Sequence, residues 1–149
     1  MNKPARSRSR AAARLAAVQA LYQRQMEGTP LARLLNEFHQ HRLGHEIEDE
    51  QYHDAEVDFF DDVVSGVDAR EDEIDALLTA RLAQGWTLQR LDKTMLQILR
   101  AGTYELLARA DIPTGTAISE YVDVAHAFFD EREAKFVNGV LDAVAKAVR

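Results

Sequence analysis

The chain has 149 residues, 46 % of them hydrophobic, which is enough for one domain with a core of its own. It contains no cysteine, so the sequence excludes disulfides, a thiolate nucleophile and a cysteine-ligated zinc site. No run of about eighteen apolar residues occurs, and no membrane-spanning helix is therefore predicted.

The formal net charge of −7 is distributed unevenly along the chain. The first 26 residues hold six cations and no carboxylate, whereas the remainder holds 12 Lys and Arg against 25 Asp and Glu, or −13. The six cations are Lys3, Arg6, Arg8, Arg10, Arg14 and Arg24. An acidic protein has no general need for a cationic end, so the simplest explanation is an arm that binds a polyanion such as RNA or DNA.

Three other uses of a cationic end remain open: a transit peptide, a solubilising tail and a membrane-surface arm. A transit peptide is disfavoured because the predicted helix continues past Tyr22 to Gly28. A membrane-surface arm is disfavoured because no large hydrophobic residue precedes Leu15. A signal peptide is not predicted, since Arg14 interrupts the short apolar run at residues 11–17. We therefore expect a cytoplasmic protein.

Apolar residues at helical spacing predict α-helix along nearly the whole chain. The first helix ends at Gly28, and its apolar stripe consists of Leu15, Val18, Tyr22 and Met26. A cationic stripe beside it consists of Arg6, Arg10, Arg14 and Arg24. A second helix begins after Thr29–Pro30, which suit a cap and a first helical position, and ends at Gly44.

Residues 45–53 lack apolar spacing and are expected to form an exposed loop. A third helix over 57–67 and a fourth over 74–82 follow, with a break or bend near Gly66–Asp68. The last three helices are predicted to begin at Thr87, at Thr114 or Thr116, and at Asp130.

No segment alternates as a strand does. Asn138–Gly139 is a hairpin signal, but the apolar residues around it repeat at three and four, so we predict helix there. The predicted fold is all-α, a compact bundle of about seven helices. It forms one domain over 1–149, with residues 1–8 as a flexible basic arm. Gly102 and Gly139 are interpreted as sites of close helix packing.

Residues typical of catalysis are scarce. The sequence has no glycine-rich phosphate loop and no nucleophile elbow. His39, His41 and His45 lie near acidic residues, but Gly44 indicates a frayed helix end rather than a metal site. The 14 carboxylates at 46–75 indicate a solvated face, because a catalytic pair needs a setting that separates its two pKa values. We predict no enzyme, no cofactor and no metal.

The N-terminal arginines suggest a mechanism of binding. A guanidinium group binds phosphate bidentately and also stacks on a base. Single-stranded RNA exposes both its phosphates and the faces of its bases, whereas a duplex hides the base faces. The sequence therefore favours single-stranded RNA as the polyanion.

Several stretches of the sequence carry a recognisable pattern. They are RLAAVQALYQ at 14–23, Leu91–Asp92, ILRAGTYEL at 98–106, Ile112–Pro113, AISEYV at 117–122 with Ala125 and Phe128, and KFVNGVLD at 135–142. The last is the most specific of them. In this order, over almost the whole chain, the stretches resemble the NusB family of bacterial transcription antitermination factors.

The resemblance implies a non-enzymatic RNA-binding factor that forms a heterodimer with ribosomal protein NusE. The pair would bind the boxA element of nascent RNA and act on the transcription elongation complex. This activity promotes processive transcription of ribosomal RNA operons. The resemblance also implies a bundle of seven helices in two packed helical subdomains.

The resemblance further implies roles for individual residues. The arginine-rich RNA-binding N-terminus would consist of Arg6, Arg8 and Arg10, with Lys3 and Arg14 as helpers. A second RNA motif would contain Lys135 and Phe136, and Tyr22 would contact NusE. Burial in the core is an open alternative for both Phe136 and Tyr22.

Two features depart from the family pattern. Met95 and Leu96 stand where many relatives have a charged pair, and the acidic stretch at 46–75 is longer than expected. That stretch would either repel RNA or face the basic surface of a ribosomal protein. A helical protein-interaction adaptor without RNA binding is the alternative function. The oligomeric state of the free protein stays open, a homodimer included.

Overall fold

The computed structural model describes residues 5–40 and 54–149, with side chains from Arg8 and Glu56 onward in the two ranges. These residues form six α-helices and one 3-10 turn, without a strand among them. The α-helices are α1 (Ala5–Glu27), α2 (Leu31–Phe38), α3 (Asp54–Thr79), α4 (Lys93–Ala108), α5 (Thr114–Phe128) and α6 (Glu131–Val148). The predicted all-α fold is confirmed.

Helix boundaries differ from the predicted ones at three places. Helix α1 begins at Ala5, so the backbone of residues 5–8 is helical, as the high helix propensity of Ala and Arg favours. The predicted third and fourth helices form one helix, α3, with a kink at Arg70 (φ −118°, ψ 22°). Thr87 precedes only the 3-10 turn, and Asp92 caps α4 by accepting bonds from the amides of Thr94 and Met95.

Helix α4 lies at the centre of the molecule. Every residue from Met95 to Leu106 is buried, because α1, α3, α5 and α6 all pack against this helix. Helices α1, α2 and α3 form one group and α5 and α6 the other, and α4 contacts both. This arrangement agrees with the predicted bundle of two packed helical groups. Among the described residues, no helix is both long and apolar enough to cross a membrane.

The buried face of α1 differs from the predicted apolar stripe. Tyr22 and Met26 are 40 % and 53 % exposed. The face against the core is instead rich in small side chains: Ala13, Ala16, Ala17 and Ala20 are buried, together with Val18 and Leu21. Small residues let α1 approach two neighbouring helices closely, and a count of large apolar residues does not register them.

Glycine marks two close helix contacts. A Cβ at Gly66 would lie 2.2 Å from ring atoms of Tyr104, and one at Gly102 would lie 2.8 Å from a methyl of Leu141. The prediction of close packing is confirmed at Gly102. It is wrong at Gly139, where an added Cβ would meet nothing within 4 Å.

Candidate nucleic-acid interface

The N-terminal cations fall into different environments. Arg8 is exposed, and the side chain of Arg10 is 19 % exposed. The Arg10 guanidinium lies 4.8 Å from the ring centroid of Phe59 and 3.9 Å from Glu56, contacts that fix it on the body of the protein. Lys3 and the side chain of Arg6 lie outside the described residues.

Arg14 is only 3 % exposed, although the sequence suggests that it helps to bind RNA. Its Nε and Nη2 atoms donate to the two carboxylate oxygens of Glu105 at 2.9 and 3.0 Å, and Glu120 lies 3.8 Å away. The guanidinium also lies 4.9 Å from the ring centroid of Phe59. Because its donors face the protein's own carboxylates, Arg14 joins α1 to α4 and α5. Arg14 is therefore not part of the proposed RNA surface.

The partner of Arg14 is held in turn by Tyr121, which is fully buried and whose hydroxyl donates to Glu105. Burial, followed by the nearby Glu105 charge, raises the pKa of Tyr121 well above its ordinary value. Burial opposes the charge on Arg14, but the hydrogen bond and charge of Glu105 outweigh it and raise the pKa of Arg14. A charged Arg14–Glu105 pair therefore lies inside the fold.

Arg24 is also engaged internally. It contacts Asp68 at 2.9 Å and also Glu71 on α3, while Arg100 of α4 makes two bonds of 2.9 Å to Asp75. These cations neutralise part of the acidic stretch.

The carboxylates between Glu56 and Asp75 are therefore not simply a solvated face, as the sequence had suggested. Within the described side chains of this stretch, only Asp58 and Asp72 have no ion-pair or side-chain hydrogen-bond partner. The engaged carboxylates are Glu56, Asp61, Asp62, Asp68, Glu71, Glu73 and Asp75. Residues 46–53 lie outside the described ranges, as do His41 and His45.

Two neighbouring cavities lead from Arg10 to α6. The first, of about 300 Å³, lies beside Arg10 and is lined by Pro113 and Thr116 at the start of α5. The second, of about 450 Å³, lies between α5 and α6 and is lined by Gly115 and Lys135. Gly115 of the second cavity and Thr116 of the first are adjacent in the first turn of α5.

Lys135 and Phe136 are both exposed on α6, which decides the open question about Phe136 against full burial. Lys135 has no carboxylate partner among the described residues. Successive residues point about 100° apart on a helix, so the two side chains face different sides. Lys135 lines the α5–α6 groove, and Phe136 lines a further cavity of about 430 Å³ together with Trp86 and Met95.

Tyr22 lies on a separate apolar surface. It lines a cavity of about 340 Å³ with Val18, Met26, Phe38 and Phe128. Tyr22, Met26 and Phe128 are each at least 40 % exposed, whereas the core residues are buried. The spacing along α1 assigned Met26 to the apolar stripe with Val18, whereas in the structure Met26 is exposed and Val18 is buried.

Trp86 was not identified from the sequence, yet it is 51 % exposed and lines the Phe136 cavity. Arg90 lies 5.2 Å from its ring centroid. The one available signal is that Trp86, in the segment between the predicted fourth and fifth helices, belongs to no apolar stripe.

Solved structures with this fold define its class. The chain is similar to Thermotoga maritima NusB with a TM-score of 0.77 and 33 % identity, covering 98 % of this chain and 93 % of that one. It is also similar to a chain in a crystal structure of antitermination factors NusB and NusE in complex with double-stranded RNA. That match has a TM-score of 0.79 and 27 % identity, and covers 94 % of this chain and 98 % of that one. The protein is thus of the NusB-like helical class.

The sequence comparisons identify the family. The NusB family model matches residues 11–146, so the chain belongs to the NusB family of transcription antitermination proteins. It is 76 % identical over 142 residues to transcription antitermination protein NusB of Novosphingobium aromaticivorans, covering 95 % of this chain and 96 % of the relative. It is 69 % identical over 149 residues to that of Sphingopyxis alaskensis, covering 100 % and 99 %.

Proposed function

We propose that this chain binds boxA-type single-stranded RNA together with ribosomal protein NusE, as an antitermination factor without catalytic activity of its own. It acts in the cytoplasm on the transcription elongation complex and promotes processive transcription of ribosomal RNA operons. Residues 1–149 act as a single domain.

The observation that supports RNA binding is the succession of cations and cavities between the N-terminus of α1 and α6. Its described part begins at Arg8 and Arg10, passes the cavity at Thr116 and the α5–α6 groove, and ends at Lys135, with Phe136 beside it on α6. Lys3 and Arg6 precede these arginines in the sequence and are proposed to extend the surface. Cations lie at both ends, where they are suited to phosphates, and an exposed aromatic ring lies at the far end, where it is suited to a base. A similar solved complex contains NusB, NusE and double-stranded RNA, which supports RNA as the class of ligand.

The Tyr22 surface is the proposed contact with NusE. Tyr22, Met26 and Phe128 form an exposed apolar patch around a cavity, as is typical of a protein interface centre. The patch belongs to a different cavity from the proposed RNA surface. The two ligands are therefore assigned to different surfaces.

RNA binding is tested by a gel shift that compares boxA RNA with a scrambled sequence, with and without NusE. Replacing Arg6, Arg8 and Arg10 by Ala should weaken boxA binding and leave the helical circular-dichroism signal unchanged. The matched control replaces Arg33, Arg81 and Lys146 by Ala, which removes the same charge elsewhere on the surface. Equal affinity of the N-terminal variant and the wild type would contradict the proposal.

The partner surface is tested by measuring NusE affinity without RNA. Tyr22→Ala should weaken NusE binding at least about tenfold, since truncation of a central aromatic residue at an interface has effects of that size. Phe136→Ala is the matched control, because it removes an exposed aromatic residue from the other surface. If NusE bound both variants equally well, the Tyr22 surface would not be its contact. NusE binding with no RNA bound under any condition would favour the adaptor function.

A further inference from the structure

We infer that Trp86 and Arg90, together with Phe136, form a stacking site for an unpaired RNA base, which extends the RNA surface beyond α6. This inference rests on the proposed function, because it concerns the same RNA strand. It adds a site in the segment between α3 and α4 that neither the motifs nor the family resemblance indicates.

The geometry of the aromatic side chains supports a flat ligand. Among the described residues, the five exposed large hydrophobic side chains fall on two surfaces: Tyr22, Met26 and Phe128 on one, and Trp86 and Phe136 on the other. The second surface is a cavity of about 430 Å³ with a mainly apolar lining that includes Leu91 and Met95. A cavity of this size with aromatic groups at its edge is suited to a nucleobase.

Arg90 is fixed in a position suited to RNA. Its Nη1 donates to the carbonyl oxygen of Gly85 at 2.9 Å, and its guanidinium lies 5.2 Å from the ring centroid of Trp86. No described carboxylate pairs with Arg90, and none pairs with Arg132 or Lys135 of α6. Most N-terminal guanidinium groups with described side chains, by contrast, contact carboxylates. Cations without internal partners remain available to phosphate.

The two acidic side chains that line the cavity are matched in number by the cations Arg90 and Arg132. Asp92 lines the cavity, but its Oδ1 accepts the two amide bonds that cap α4. Glu133 contributes one carboxylate, against the cations Arg90 and Arg132. Phe136 of this cavity follows Lys135 of the α5–α6 groove in the sequence, so the proposed path of the RNA crosses α6 between these two side chains.

The chain offers a direct reporter, because Trp86 is its one tryptophan. Single-stranded boxA RNA is titrated into the full-length protein while tryptophan emission and the anisotropy of labelled RNA are both recorded. Base stacking on Trp86 should quench its emission with the same midpoint as the anisotropy change. Trp86→Leu should weaken RNA binding about tenfold, and Trp86→Phe should restore most of it, as stacking energies of single bases imply. Arg90→Gln should weaken binding in the same direction.

The possible outcomes separate this inference from the proposed function. RNA binding that depends on Arg6, Arg8 and Arg10, without quenching and without an effect of Trp86→Leu, would overturn the stacking site alone. Absence of RNA binding would overturn both. Quenching by NusE in the absence of RNA would assign the cavity to a protein partner and overturn the inference. Because quenching is measured on the wild-type protein, the test does not depend on how Trp86→Leu folds.

Discussion

At the scale of single residues, arginines that look alike in the sequence have different roles. Arg10 and Arg14 lie one helical turn apart, yet Arg10 reaches the surface and Arg14 is buried against Glu105. Helical spacing places both arginines in one cationic stripe, because it gives only the direction of a side chain around α1. It does not show which elements pack against that side. The difference arises from α4 and α5, whose Glu105 and Glu120 meet Arg14 across long sequence separations.

Arg14→Met should therefore destabilise the protein rather than merely weaken RNA binding. Removing one partner of a buried pair leaves Glu105 uncompensated, with an expected loss of about 3–5 kcal/mol in the free energy of unfolding. Urea denaturation measures this loss. Arg8→Ala is the control and should change stability by less than about 0.5 kcal/mol, because the side chain is exposed. A loss below about 1 kcal/mol for Arg14→Met would show that the pair is not important for the fold.

At the scale of elements, glycine decides how closely helices approach. Gly66 of α3 faces Tyr104 of α4, whose hydroxyl donates to Asp62 at 2.7 Å on the same α3. The sequence predicts a break or bend near Gly66–Asp68, and α3 is kinked at Arg70, two residues beyond this segment. In the structure the helix continues there, since the absent side chain leaves room for the Tyr104 ring.

Gly66→Ala and Gly139→Ala should have opposite effects on stability. The new Cβ at residue 66 overlaps the Tyr104 ring, and overpacking of this kind costs about 1–3 kcal/mol. At residue 139 nothing lies within 4 Å, so the higher helix propensity of Ala should stabilise α6 by about 0.5–1 kcal/mol. Thermal unfolding of both variants tests the pair. A stable Gly66→Ala variant would contradict the described α3–α4 contact.

At the scale of the whole molecule, the fold was predictable and the ion pairing was not. Helical periodicity and the NusB-like stretches specify the order of helices, because each stretch is local in the sequence. Arg24 forms ion pairs with carboxylates of α3, and Phe128 is exposed. Both features depend on contacts between distant segments, which no local pattern indicates. The prediction of Tyr22 as a surface residue came from the family resemblance, whereas its spacing suggested the core.

Alkaline pH should destabilise the folded protein through its buried tyrosines. Burial and the hydrogen bond to Asp62 raise the pKa of Tyr104 to about 12, and burial also raises the pKa of Tyr121 well above its ordinary value. The folded state holds these protons more tightly than the unfolded chain, so the stabilisation is complete below pH 10 and is lost as the pH rises through 12. Urea denaturation from pH 8 to 11.5 should show this fall. Tyr104→Phe should reduce its slope, and an unchanged slope would contradict the assignment.

The central claim is that N-terminal cations bind RNA phosphates, while most of the described carboxylates between Glu56 and Asp75 are engaged by internal partners. The most direct test is the dependence of boxA RNA affinity on salt concentration. If about four phosphates are neutralised, the slope of log affinity against log salt should be near −3 for single-stranded RNA. Replacing Arg6, Arg8 and Arg10 by Ala should flatten that slope to about −1, since about one phosphate contact remains. A steep slope retained in this variant would show that the RNA binds elsewhere and would contradict the claim.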